Sequence, residues 1–156
     1  MNISEFQSLL QPVTRLVAGK PVDHNLAHEL NHQFPPDGDA FDAIETACHD
    51  AISAGWMCAH GAEGRRFGRV IEPSDQTGRL SVDVVDLVDI VGPHHSHPKG
   101  EICMVMPVTP DARFDGNGRG WCVYEAGSDH HPTVTNGQAL VLYMLPEGSI
   151  EFTGKN

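Results

Sequence analysis

The sequence predicts a mainly β fold, an antiparallel barrel or double-sheet sandwich, preceded by a helical extension of two to three helices. Three observations predict it. Apolar residues recur at helical spacing up to about residue 56 and at strand spacing from about residue 57 onward. The later region is cut into many short apolar runs by Gly, Pro, Asn and Asp turns. The chain has 156 residues, 40% of them hydrophobic and 20% charged, enough to bury one core without disulfide or metal staples. The expected organisation is a helical extension over 1–56 and a β-barrel over 57–156, together one compact domain.

The elements follow in order. Ser4 with Gln7 reads as a capping box for a first helix carrying Ile3, Phe6, Leu9, Leu10, Val13, Leu16 and Val17. Pro12 lacks an N–H, so a kink or two short pieces is expected there, with Gly19 as the stop. Asp23 can cap a second helix with Leu26, Ala27, Leu30 and Phe34, ended by Pro35-Pro36. Asp39 can cap a third, with Phe41, Ile44, Ala47, Cys48 and Ala51 on one face and Gly55 after it. Beyond it, the first strand carries Arg66 to Val70. Leu80, Val82 and Val84 alternate with polar partners, and Glu101–Val108 and Trp121–Glu125 are short apolar strands. Thr133–Thr135, Asn136-Gly137 and Gln138–Leu145 read as a hairpin, because Asn-Gly supplies the two positive φ values of a type I′ turn. Ile150–Phe152 is a last short strand, and Asp115–Gly120 (DGNGRG) is a loop tip, since no GK[ST] and no helix follows.

Composition excludes several functions. No apolar run approaches the ~18 residues of a membrane span, and the N-terminus lacks the pattern of a signal peptide. Ten Lys and Arg against 21 Asp and Glu give a net charge of −11, which disfavours nucleic-acid binding. Cys48, Cys58, Cys103 and Cys122 form no CxxC pair and read as reduced thiols of a cytoplasmic protein.

Ten histidines fall in clusters. His28-Glu29-Leu30-Asn31-His32 is a literal HExxH, the zinc-protease pattern. At about 100° per residue, however, His24, His28 and His32 form a stripe opposite Leu26, Leu30 and Phe34, so the reading is a solvated helix face. The second cluster is His94-His95-Ser96-His97-Pro98-Lys99-Gly100-Glu101. His95 and His97, two apart in an extended chain, share a face, and Glu101 opens the next strand after a short turn. A fourth ligand must come from elsewhere, and His130 is well placed if the Trp121–Glu125 strand runs beside Glu101–Val108. Three imidazoles and a carboxylate suit Mn, Fe, Co, Ni or Zn and leave positions open. His94 and His131 adjoin two of these positions and compete for the same roles.

The second cluster resembles the first motif of the cupin superfamily, HxH, three or four residues, then Glu. Glu125-Ala126-Gly127-Ser128-Asp129-His130 resembles the second, PxGxxH, with Glu125 in place of Pro. That resemblance implies an RmlC-like double-sheet barrel and a divalent transition metal (Zn, Fe, Mn or Ni) on His95, His97, Glu101 and His130. With a helical first third followed by GWMCAHGAEGRRFGRV, VDVVDLVDIVGPHHSHPKGEICMVMP, ARFDGNGRGWCVYEAGSDHHPTV and ALVLYMLPEGSIEF, the chain is similar over nearly its whole length to the 4-hydroxylaminobenzoate lyase family of nitroaromatic degradation. This second resemblance implies conversion of 4-hydroxylaminobenzoate to 3,4-dihydroxybenzoate and ammonia, a small aromatic carboxylate as ligand, and, as in many cupins, a homodimer. Glu125, His131 and Tyr124 are then the acid/base candidates, and Arg66 or Arg69 the partner of the substrate carboxylate, one of the two facing inward. Phe67, Trp121 and Tyr143 are candidates to wall an aromatic ring. Two other classes stay open: another metal-dependent cupin enzyme, such as a dioxygenase or isomerase, and a non-catalytic binding cupin.

Overall fold

The computed structural model describes residues 1–155. Three helices come first: α1 (Ile3–Val17), α2 (His24–Gln33) and α3 (Asp39–Ala54). Ten strands follow: β1 (His60–Ala62), β2 (Arg65–Ile71), β3 (Leu80–Val91), β4 (His95–His97), β5 (Glu101–Pro107), β6 (Arg113–Phe114), β7 (Gly120–Tyr124), β8 (Ser128–His130), β9 (Thr133–Pro146) and β10 (Glu151–Phe152). Among the described residues, no helix is long and apolar enough to cross a membrane.

The start of α1 differs from the expected Ser4–Gln7 box. The Asn2 side chain accepts the Glu5 N–H at 2.9 Å, and the Asn2 N–H donates back to the Glu5 carboxylate at 3.0 Å, so the box lies two residues earlier. Pro12 does not divide α1, which runs through it. Pro12 is exposed, while Phe6, Leu10, Val13 and Val17 on the other side stay in one buried row. Asp23 caps α2 as expected, accepting the Leu26 N–H at 3.1 Å. For α3 the cap is Gly38, and Asp39 is the first helical residue; with Asp42 it places negative charge on the positive end of the dipole.

Two sheets form, one of seven strands and one of three. The large sheet has the order β1-β2-β3-β9-β5-β7, with β6 on β9, and every pair is antiparallel. The small sheet has the order β10-β4-β8. The strand ladders do not join the two into one closed hydrogen-bonded barrel. Instead the large sheet is covered on both faces, which is why β5 reads as an unbroken apolar run. Val82, Val84, Met104, Met106, Leu142 and Met144 pack against the helices, in one core with Phe6, Leu30 and Phe41. Val85, Leu87, Cys103, Val105, Val141 and Tyr143 face the opposite side, in a second cluster with Phe114 and Val134. Alternation along β3, β5 and β9 thus assigns each residue to the helix side or the site side.

Asn31 fastens α2 to the sheet. Its side chain donates to the Trp121 carbonyl at 2.9 Å and accepts the Trp121 N–H at 3.0 Å.

The Asn136-Gly137 hairpin is a correction. These residues do have φ of +62° and +123°, but they lie inside one continuous strand, β9. Val88 pairs with Gln138 and Ile90 with Val134, so three residues of β9 (Thr135, Asn136, Gly137) oppose the single Asp89 of β3. This is a bulge. The long strand β3 offers a partner to both halves of β9, so they align along it instead of folding back on each other. The Asp89 carboxylate accepts the Gly137 N–H at 3.0 Å and holds the bulge.

Candidate active site

The two sheets meet around four side chains. β4 and β8 pair antiparallel with His95 opposite His130 and His97 opposite Ser128. Alternation puts His95 and His97 on one face of β4 and His94 on the other. It likewise turns His130 and Ser128 to that same side and His131 away. Glu101 enters from β5 after a tight turn closed by the Gly100 N–H on the His97 carbonyl at 3.1 Å. Gly100 has φ +92°, and a Cβ there would stand 2.8 Å from Val22 Cγ1 and 2.9 Å from the Tyr124 carbonyl oxygen, so the turn requires glycine.

One ligand atom from each of His95, His97, Glu101 and His130 lies within 4.8 Å of the others. His95 Nε2 is 3.1 Å from His130 Nε2 and 3.3 Å from Glu101 Oε2, and His97 Nε2 touches the same Glu101 oxygen. His97 is fully buried, and Glu101 is 2% exposed.

Neighbouring groups fix which ring nitrogens carry protons. Asp115 Oδ2 lies 2.5 Å from His130 Nδ1. A carboxylate only accepts, so the proton sits on Nδ1 and the Nε2 lone pair faces the cluster. The Ser128 hydroxyl spends its one proton on the Glu125 carbonyl at 2.5 Å, and it therefore accepts from His97 Nδ1 at 3.1 Å. His97 Nε2 is then also an unprotonated lone pair, buried and without a hydrogen-bond partner. The Glu101 carboxyl is pushed up by burial, but the hydrogen bond from His95, with the His97 ring beside it, outweighs this and holds it at about 2. Cys103 donates to its other oxygen at 3.0 Å. Two lone pairs and an ionised carboxylate converging in a buried place repel one another unless a cation lies among them. The donor set fits a first-row divalent transition metal.

A cavity of about 230 Å³ opens from the cluster. His95 and Glu101 stand in its wall, with Phe67, Phe114, Tyr143 and Phe152 as aromatic lining and Arg65 among its remaining residues.

The remaining sequence candidates fall as follows. Phe67 and Tyr143 line the cavity. Trp121 does not: it packs on Phe41 in the helix-side core and donates to the Phe34 carbonyl. Tyr124 donates its hydroxyl to Asp115 at 2.6 Å, beside His130. Glu125 is exposed on the turn before β8, and His131 faces the Gly92 carbonyl at 3.2 Å. Arg69 is paired with Asp83 at 2.9 Å, and Arg66 lies by Cys58–Ala62, away from the cavity. His94 bonds Thr153 and Asp129, outside the cluster. His28 and His32 are exposed, and Glu29 pairs with Lys20 at 2.6 Å.

Sequence reasoning missed Asp115, Ser128, Cys103 and Arg65. For Arg65 a signal existed, because it shares parity with Phe67. For Asp115 none did, since its partners are 9 to 18 residues away and meet only when the sheets pack.

The family profile for PnbB, 4-hydroxylaminobenzoate lyase, matches residues 8–152. A 4-hydroxylaminobenzoate lyase of Pseudomonas putida is 29% identical over 153 residues, covering 87% of each chain. One of Nocardioides sp. (strain LMS-CY) is 26% identical over 150 residues, covering 90% of this chain and 89% of that one. Among solved structures, an RmlC-like cupin protein of Ralstonia eutropha JMP134 is 12% identical with a TM-score of 0.45, covering 60% of this chain and 62% of that one. The salicylate 1,2-dioxygenase of Pseudoaminobacter salicylatoxidans is 13% identical with a TM-score of 0.42, covering 74% of this chain and 36% of that one.

Proposed function

The chain belongs to the 4-hydroxylaminobenzoate lyase family, and from that premise we propose that it converts 4-hydroxylaminobenzoate and water into 3,4-dihydroxybenzoate and ammonia. The balance consumes one water: the N–O bond, the ring C–N bond and one adjacent ring C–H bond break, two ring C–O bonds form, and the ring proton is released as aromaticity returns. The observation that carries the reading is the convergence of His95, His97, Glu101 and His130 at the wall of an aromatic-lined cavity.

These four residues would hold a divalent transition metal, which would supply Lewis acidity close to the bond that breaks. The protein's own groups do the rest. Phe67, Phe114 and Tyr143 enclose a flat ring and exclude bulk water. Asp115 and Ser128 keep the Nδ1 protons of His130 and His97 in place, so both Nε2 atoms stay available. Tyr143 carries the proton-bearing hydroxyl of the cavity wall. Burial, then the neighbouring Asp83 and Glu101 carboxylates, push its pKa up, so it stays protonated, its proton directed at Asp83, and it presents a neutral polar oxygen to the cavity.

Metal analysis of the purified protein, combined with an ammonia assay on 4-hydroxylaminobenzoate, tests this. Ammonia release that disappears on chelation and returns with Mn, Fe, Ni or Zn is the expected result. Consumption of O₂ without ammonia would place the chain in a different cupin chemistry.

A further inference from the structure

We propose that Arg65 is the carboxylate-recognition residue of this site. The inference rests on the reaction proposed above and identifies the part of the substrate that the four-residue cluster does not contact.

Strand parity comes first. Arg65, Phe67 and Arg69 share one face of β2, and Phe67 and Arg65 both line the cavity. Arg69 cannot serve, because Asp83 and the Gly148 carbonyl already occupy its guanidinium. Arg66 points to the opposite face. Arg79 and Arg119 are likewise committed, to Glu147 and Glu45, whereas Arg65 forms no ion pair among the described residues. A planar guanidinium without a carboxylate, at the edge of an apolar chamber, is a ready partner for an external one.

Position comes from the cavity itself. Arg65 lines the same cavity as His95 and Glu101, so an aromatic acid held by Arg65 stays within the chamber onto which two of the four cluster residues open.

Charge points the same way. An adjoining cavity shares Arg65, Gly92 and Pro93 with the first and adds His131 and Lys155. In a chain of net charge −11, two full cations and an imidazole around one entrance make a local field that draws an anionic ligand in.

The test compares ligands with and without the acid group. Ammonia release is followed from 4-hydroxylaminobenzoate and hydroxylaminobenzene, and calorimetry follows binding of 4-aminobenzoate and aniline to the metal-loaded protein. In Arg65→Ala we expect the KM for 4-hydroxylaminobenzoate to rise about ten- to a hundredfold, and 4-aminobenzoate binding to weaken equally, as for loss of a charged hydrogen-bonded pair. Turnover of hydroxylaminobenzene, which has no acid group, should not change, and Arg65→Lys should recover part of the loss. Unchanged KM and binding in Arg65→Ala, an equal loss for hydroxylaminobenzene, or the loss appearing in Arg66→Ala instead would each overturn the assignment. If the wild type releases no ammonia, the proposed reaction fails, and 4-aminobenzoate against aniline binding still decides for or against Arg65.

Discussion

Asp115 is the residue on which most of the site's order depends. Its two oxygens accept from His130 Nδ1, the Tyr124 hydroxyl and the Thr133 N–H. Burial raises its pKa, but these hydrogen bonds outweigh that and lower it, so it stays ionised. Asp115→Asn suits the backbone, since Asn tolerates the φ of +50°, yet it weakens the hold on the His130 tautomer. The expected outcome is metal affinity reduced about 10–100-fold with the fold intact, read by titration in metal buffers and by circular dichroism. The cysteines on the helix side behave differently. Burial pushes the Cys58 thiol from 9.0 up to about 12, and Cys48 also rises. The unfolded chain therefore releases these protons first, and stability falls as pH rises from 9 through the folded values, by about 1.4 kcal/mol per pH unit for each thiol. Denaturant melts between pH 8 and 11 should show this slope, and Cys48→Ala/Cys58→Ala should flatten it.

At the scale of elements, α2 carries a motif it does not use. Leu26 and Leu30 are buried, so the helical period turns His24, His28 and His32 to solvent. His28→Ala/His32→Ala should change metal content and activity by less than about twofold, since exposed-face changes cost under ~0.5 kcal/mol; loss of metal would return HExxH to contention. The same helix is anchored by Asn31, which also donates to the Ala27 carbonyl at 3.0 Å. Asn31→Ala leaves the Trp121 N–H and carbonyl without that partner. Destabilisation of about 1–3 kcal/mol is expected, measured by urea unfolding, with metal content unchanged because β7 supplies none of the four ligand candidates.

For the whole molecule, the four converging side chains would couple metal binding to folding. They come from β4, β5 and β8, which belong to two sheets, so a cation held by all four would tie the sheets together and bind only the folded chain. Metal at 100 times its Kd should add about 2.7 kcal/mol, or a Tm higher by about 5–10 °C. Scanning calorimetry of chelated and reloaded protein checks this. An equal shift in a His97→Ala/His130→Ala variant would move the binding elsewhere.

By itself the sequence determined what depends on local spacing. The apolar stripes of α2 and α3, the Asp23 cap, the strand texture beyond residue 57, and the shared face of His95 and His97 all follow from periods of 3.6 and 2. The cupin resemblance lies in the same kind of local words, HSHPKGE and EAGSDH. Tertiary structure decided what depends on partners distant in the chain. Asn136-Gly137 has the local conformation of a turn, but β3 offers ladder bonds on both sides of it and makes it a bulge. His130 rather than His131 faces the cluster because β8 pairs with β4 in that register. Arg69 is taken by Asp83 of the neighbouring β3, while Arg65, four residues earlier in the same strand pair, is left at the cavity. Side-chain direction is written in a strand's own alternation, whereas the partner it meets is set by strand register and sheet packing, which no short window of sequence contains.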